Sequence, residues 1–290
     1  MHKNKCRGCP DMNVSTSPTD FSAWIGRTEE AHDVLSRNLV KRIAATFGEA
    51  APADGEALPA LWQWCFFQEP LFETQLGGDG HPARGGFLPP ADNRNRMWAG
   101  GRVEFIQPLI IGAEAHRLST LLRVEEKHGR SGSLLFVTVR HDYSQNGQLC
   151  VREEQDIVYR EPNPPKLDSG QAPEAGDWSE TISPTPTLLF RYSAVTFNGH
   201  RIHYDYPYVT ATEGYPNLVV HGPMIATFNL RAFIRANPDK RVRHFAYRGV
   251  RPLNVPTPFQ VGGRIVDAGT AQLWAGNAAG VAQTAEVVFD

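Results

Sequence analysis

The sequence predicts an α+β fold made of two copies of one unit, an antiparallel sheet with a helix against it. Three observations carry this. The apolar period becomes strand-like at Met97 and stays so for four long segments. A later stretch, Pro223 to Arg235, is apolar on most faces, which marks a buried helix. Two segments also echo each other. Gly101 to Gly112 reads GRVEFIQPLIIG and Tyr247 to Pro256 reads YRGVRPLNVP, so Pro108-Leu109 falls opposite Pro252-Leu253. Asp156 to Tyr159 (DIVY) likewise matches Glu286 to Phe289 (EVVF) in kind. A sheet wrapped round a helix solves the burial problem of each copy.

In chain order, Thr28 to Phe47 places Val34, Leu35, Leu39, Ile43 and Phe47 at helical spacing and predicts one amphipathic helix ended by Gly48. Leu58 to Phe67 is a short aromatic-rich stretch of either type. Gly77 to Asn95, rich in Gly, Pro and charge, is a long loop of the kind that often serves function. Strands follow at Met97 to Phe105, Ala115 to Lys127, Ser133 to Ser144 and Gln148 to Tyr159, with turns at Gly129-Arg130 and Asn146-Gly147. Their length points to a strongly curved sheet. Glu161 to Asp177 is a Pro- and Gly-rich linker. Pro223 suits the first turn of its helix, where the missing N–H would be unpaired anyway. Strand-like segments close the chain at Val242 to Gly249, Thr257 to Ala268, Ala271 to Ala275 and Gly280 to Phe289. The division expected is a flexible leader over 1–20, a first unit over 21–160, a linker over 161–180 and a second unit over 181–290.

The chain has 290 residues, 41% hydrophobic and 21% charged, with a net charge of −2. These are ordinary values for a soluble globular protein of two domains. The small net charge gives no global field for nucleic acid or an anionic membrane, so neither is expected as a partner. No apolar run approaches a membrane span, no secretory h-region follows the start, and a cytoplasmic enzyme is expected. Cys6 and Cys9 form a C-x-x-C pair, but no second pair is spaced to complete a zinc site, and no metal is expected. Met12 begins a more ordinary N-terminus, so residues 1–11 read as an upstream start or a tail.

The chemistry concentrates in Arg191 to Asp205, RYSAVTFNGHRIHYD, and Leu218 to Thr227, LVVHGPMIAT. Here the sequence resembles the MaoC-like (R-specific) enoyl-CoA hydratase family, in its two-hot-dog branch with a FAS1-type dehydratase-like N-terminal domain. That family's motif runs Y-[ST]-x-x-x-x-D-x-N-P-[LIV]-H, followed downstream by [IV]-x-H-G. Tyr192 and Ser193 match its opening, Ile202 and His203 its close, and His221-Gly222 the H-G. The resemblance covers most of the chain in architecture, with the specific signal confined to Phe190 to Pro223. It implies a double hot-dog: two antiparallel sheets, each wrapped round a central helix and paired into one continuous sheet. It also implies an acyl-CoA thioester substrate, no cofactor, and one site per chain in the second unit. The first unit lacks the motif, so it is expected to have lost catalysis and to shape the acyl pocket.

Hydration of an α,β-unsaturated thioester needs an acid–base group near Cβ and Cα, and a donor on the carbonyl where enolate charge develops. The resemblance implies His203 as the water-handling group and the Gly222 amide, at a helix N-terminus, as the oxyanion donor. One position departs from the family. Its aspartate is Asn198 here and its asparagine is His200. An amide cannot take a proton at neutral pH, so Asn198 positions water and is not the base. Asp205, two residues beyond His203, would share a face with it in an extended segment and orient it. His200 is a second acid–base candidate.

Tyr192, His200, Arg201, His221, Arg248 and Arg251 are the expected substrate-contacting residues. For His221, capping or packing at the helix start is the favoured role. Tyr204, Tyr206, Tyr208 and Tyr215 are explained by loop packing at least as well as by substrate contact. The basic run Lys240, Arg241, Arg243, Arg248 and Arg251 reads equally as a charged strand edge or as a site for coenzyme A phosphates. An acyl carboxylate would need an arginine, for which Arg84, Arg94, Arg96 and Arg201 are candidates.

The function expected is reversible hydration of an enoyl-CoA. Hydratases of short dicarboxylyl thioesters such as mesaconyl-C4-CoA or itaconyl-CoA are similar in length and layout. The rivals are a 3-hydroxyacyl-ACP dehydratase, a non-catalytic acyl-thioester-binding protein suggested by Asn198, and a thioesterase using Asp205 or Glu213. A monomer acting as a pseudodimer, or a homodimer, is expected.

Overall fold

The computed structural model describes residues 20–91, 94–129 and 132–290. The leader cysteines Cys6 and Cys9, Met12 and the turn residue Arg130 lie outside these residues. The first half runs β1 (Thr28–Val34), α1 (Arg37–Phe47), β2 (Asn95–Phe105), β3 (Glu114–Gly129), β4 (Gly132–Gln145) and β5 (Gln148–Arg160). The second runs β6 (Trp178–Ile182), α2 (Pro186–Val195), α3 (Tyr206–Ala211), α4 (Gly222–Ala236), β7 (Val242–Gly249), β8 (Phe259–Asp267), β9 (Thr270–Asn277) and β10 (Gly280–Phe289).

All ten strands form one sheet in the order β1-β3-β4-β5-β2-β7-β10-β9-β8-β6. Read inward from either edge, the order is the same, with β1, β3, β4, β5 and β2 answering to β6, β8, β9, β10 and β7. The internal echo in the sequence is this repeat. Its two copies meet at the seam of β2 and β7, where Gly100 pairs Arg248 and Glu104 pairs His244. The seam accepts close backbone approach because Gly100 carries no Cβ, which would lie 3.2 Å from Arg248 Cα and closer still to Tyr247 O.

Strands β2 to β5 and β7 to β10 fall where the alternation places them, β6 begins inside the stretch expected as linker, and the β4–β5 hairpin turns on Asn146 (φ 50°) and Gly147 (φ 73°), as an Asn-Gly pair permits. The expected single helix over Thr28 to Phe47 is corrected. Thr28–Val34 is an edge strand paired with β3, and the helix starts at Arg37. Without β1 the long strand β3 would leave its outer backbone groups unpaired. The helix's predicted end holds: Gly48 is left-handed (φ 70°) and its N–H returns to Ala44 O.

The two halves differ in what covers the inner face of the sheet. In the second, the 15-residue α4 lies against all five strands β6 to β10, with Met224, Ala226, Leu230 and Phe233 fully buried. In the first, α1 enters after its edge strand as α2 does after β6, and packs on α2 and the buried turn Trp62–Cys65. Among the described residues no α-helix stands between α1 and β2, where α4 stands before β7. The space left is a cavity of about 1010 Å³.

Candidate active site

The cavity runs between the inner face of the first sheet half and the motif segment of the second. The chain leaves α2 through Phe197, which takes the left-handed region at φ 49°, and Asn198 N–H closes the turn on Ser193 O at 2.8 Å. A 3₁₀ turn, Arg201–His203, then carries His203 inward. Its Nδ1 lies 2.7 Å from Val219 O, and Val219 N–H donates to Ile202 O at 3.0 Å. That carbonyl fixes the proton on Nδ1 and leaves Nε2 as an acceptor. Burial pushes the His203 imidazole down to about 3.

His203 stacks on His221, with ring centroids 3.5 Å apart and planes 17° apart. His221 precedes the first residue of α4 and its Nε2 lies 2.8 Å from Ser193 Oγ; burial lowers its basicity too. It packs at the helix start and also lines the cavity. Tyr192 is buried edge-on to His221 at 4.8 Å and reaches the cavity wall. Gly222 opens α4 and lines the cavity, and a Cβ there would meet nothing within 4 Å. Its amide has no acceptor among the described residues, so an oxyanion can approach it under the positive end of α4. Asn198 accepts the His200 N–H at 2.9 Å on its side-chain oxygen and shapes the turn. The His200 ring lies edge-on to His203 at 5.4 Å.

Several expected contacts are corrected. Asp205 does not orient His203, because the segment is a 3₁₀ turn and helix rather than an extended strand. Asp205 caps α3, accepting Tyr208 N–H at 3.1 Å, and pairs with Arg201 at 2.8 Å. Arg201 is thereby held outside the cavity, over the Tyr208 ring. Arg248 follows the inward-facing Tyr247 on β7, so it projects from the outer face and is exposed. Arg251 reaches the wall, yet its guanidinium bonds Asn277 Oδ1 at 2.5 Å and Gly280 O at 2.6 Å, clasping the β9–β10 turn. Glu213 is taken by Asn95 and Tyr208, so neither acid beside the motif faces the cavity.

Of the arginines expected near an acyl carboxylate, Arg96 lines the cavity, while Arg94 pairs with Glu126 and Arg84 bonds Ala91 O. Residues that sequence reasoning missed come from the first half: His81, Arg117, His141 and Gln155. They sit on a loop and on alternating strand positions without a motif. Alternation could have flagged Arg117, Ser119, His141 and Glu153 as polar groups on an inward face. Two groupings put three possible metal donors within 4.8 Å, Glu30-His32-His116 and Asp79-His81-His200. In the second, Arg84 stands 3.6 Å from Asp79 and the charge of Arg96 reaches both imidazoles, which opposes a cation.

Known proteins resemble this chain over most of its length. Residues 61–255 match the family model for hydroxyacyl-thioester dehydratase type 2. The chain is 44% identical to the mesaconyl-C(4)-CoA hydratase of Chloroflexus aurantiacus over 250 residues, 84% of this chain and 89% of that protein. It is 28% identical to the mitochondrial hydroxyacyl-thioester dehydratase type 2 of Schizosaccharomyces pombe, over 83% of this chain and 90% of that one. In structure it resembles a MaoC-like dehydratase from Phytophthora capsici, with a TM-score of 0.67 at 14% identity over 92% of this chain and 96% of that one. The fold is a double hot-dog, and the chain belongs to the hydroxyacyl-thioester dehydratase family of hydro-lyases.

Proposed function

We propose that the protein hydrates a short dicarboxylyl enoyl-CoA, using His203 for the water and the Gly222 amide for the thioester oxygen. The carrying observation is that these two groups, one an acceptor and one a donor without a partner, face the same cavity. Water held by His203 Nε2 adds at Cβ. The π electrons move toward the thioester carbonyl, whose oxygen gains charge against the Gly222 N–H and the N-terminus of α4. Asn198 keeps the His200 turn in shape and takes no proton.

A diacid is supported by the named substrate of the Chloroflexus relative. It is supported as well by Arg96 and Arg117, which line the cavity without an acidic partner among the described residues. A planar guanidinium is suited to a carboxylate. Arg160 and Lys166, also on the wall, are placed to meet the phosphates of coenzyme A. The site is complete in one chain, whose halves pair as a pseudodimer. No helix among the described residues is long and apolar enough to cross a membrane.

The test is a panel of enoyl-CoAs: mesaconyl-C4, itaconyl, crotonyl and a long-chain substrate. Hydration of the diacids with kcat/KM at least tenfold above crotonyl-CoA is expected. Inactivity on all of them would remove the hydratase reading, and a preference for crotonyl-CoA would remove the diacid.

A further inference from the structure

The long loop of the first half brings a second imidazole to the site. From Gln75 to Ala83 the chain folds into a tight turn, with Gly77 N–H on His81 O at 2.7 Å, Gly80 N–H on Gly77 O at 2.9 Å and Ala83 N–H on Gln75 O at 2.8 Å. This turn is fastened to the motif segment. Arg201 N–H donates to Asp79 O at 2.9 Å, and Arg201 Nη1 to Gly78 O at 3.0 Å. The backbones touch at two glycines. A Cβ on Gly80 (φ 86°) would lie 2.0 Å from Gly199 O, and one on Gly199 would lie 2.7 Å from Gly80 O.

The contact sets His81 on the cavity wall, its ring 4.1 Å from that of His200. Behind it stands Asp79, whose Oδ2 is 3.3 Å from His81 Nδ1 and whose Oδ1 accepts the His81 backbone N–H at 3.0 Å. Burial opposes ionisation of Asp79, but the hydrogen bonds and charge of His81 outweigh it and hold the carboxyl below its usual range. Of the five imidazoles on the cavity wall, His203 is backed by a carbonyl, His221 and His141 each by a serine, and His200 by no hydrogen-bonded side chain among the described residues. Among them His81 alone has a carboxylate within hydrogen-bond distance of its ring.

Hydration moves one proton, from water to Cα, and the enzyme holds it while the enolate exists. His203, pushed down to about 3, accepts a hydrogen bond but does not keep a proton near neutral pH. Asn198 cannot take it. Building on the hydratase reading above, we propose that His81, backed by Asp79, is the second acid–base residue of the reaction and fills the role left open by the missing carboxylate at Asn198. His203 and His81 share the attacking water. As the O–Cβ bond forms, a water O–H bond breaks and its proton passes to His81, while the π pair moves onto the thioester. As the carbonyl reforms, the same proton leaves His81 to make the Cα–H bond. The enzyme ends as it began. Asp79 stabilises the transient imidazolium, as a carboxylate does behind a catalytic histidine.

The charged and titratable groups facing His81 are Asp79 and Arg84 from its own loop, Arg96 from β2, and His200 and His203 from the motif segment. Burial, with Arg96 and Arg84, lowers its basicity by more than Asp79 raises it, so the imidazole sits below its ordinary value. A base must be neutral to act, so kcat/KM falls as pH drops through the His81 value. Removing the Asp79 charge lowers that value and moves the acid limb to lower pH.

The test is kcat, KM and the pH profile of wild type, His81→Gln and Asp79→Asn with the best enoyl-CoA of the panel. For His81→Gln, kcat falls on the order of 100-fold or more with KM within about threefold. For Asp79→Asn, kcat falls about tenfold and the acid limb moves down by about one pH unit. A kcat within threefold of wild type in His81→Gln would overturn the proposal. If that variant fails to fold, the Asp79→Asn profile decides, and an unmoved acid limb overturns it. Wild type inactive on every enoyl-CoA would instead count against the hydratase reading itself.

Discussion

The two halves share a strand order and differ on the inner face of their sheets. In the second half that face is apolar, with Phe259, Val261, Leu273, Ala275, Val287 and Phe289 buried beneath α4. In the first half the matching face carries Arg117, Ser119, His141, Tyr143, Glu153 and Gln155 on three adjacent strands. Ser119, His141 and Glu153 lie directly across from one another in register. Glu153 is fully buried and accepts from Trp64 Nε1 at 2.9 Å, Gln155 Nε2 at 2.8 Å and Tyr143 Oη at 3.2 Å, while burial still pushes its carboxyl up to about 7. A covering helix demands an apolar face. Where the helix is missing, the sheet is free to be polar, and the room serves as the cavity.

The division of labour can be broken from either side. The largest effect is expected in the second half. His203→Ala lowers kcat on the order of 1000-fold, measured in steady state on the preferred enoyl-CoA. Next comes Gly222→Ala. The added methyl meets no protein atom within 4 Å, so the unfolding temperature stays within about 2 °C of wild type. It occupies the approach to the amide, and kcat/KM falls on the order of 10- to 100-fold.

A third test compares buried histidines, one in each half. Burial pushes both His141 and His203 down to about 3 from an ordinary value of 6.5. The unfolded chain therefore takes up protons first as pH falls. The stability each contributes is present above pH 6.5 and is lost progressively below it, by about 2 kcal/mol per histidine at pH 5. Urea unfolding at pH 7.5 and pH 5 measures the loss, and His141→Gln removes about 2 kcal/mol of the difference. A pH-independent stability would contradict the burial. The smallest effect is expected at Asn198. Asn198→Asp keeps the oxygen that accepts His200 N–H and holds kcat within about threefold, whereas Asn198→Ala lowers it about tenfold.

Much of the second half was legible in the sequence because its signals are local. Pro223 and the apolar run after it announce α4, and His203 and Gly222 fall in a motif whose spacing is its geometry. Eight of the ten strands follow from alternation and turn residues, and the two edge strands β1 and β6 do not. What stayed hidden depended on distant neighbours. Thr28–Val34 keeps a helical apolar spacing but is claimed by the open edge of β3. Asp205 reads as a partner of His203 only if the segment is extended, and the capping of α3 decides otherwise. Arg201 and Arg248 look like ligand residues until the ion pair and the strand face are known. His81 reaches the site through Gly80 and Gly199, which are 119 positions apart and carry no pattern that links them.

In a hydratase, water adds across a carbon–carbon double bond and does not attack the thioester. Incubating the wild-type protein with mesaconyl-C4-CoA in ¹⁸O-labelled water, with mass analysis of the product and a thiol assay, tests it most directly. The expected product is an intact CoA thioester carrying one ¹⁸O on the Cβ hydroxyl, with no free thiol. Release of coenzyme A with ¹⁸O in a carboxylate would contradict it.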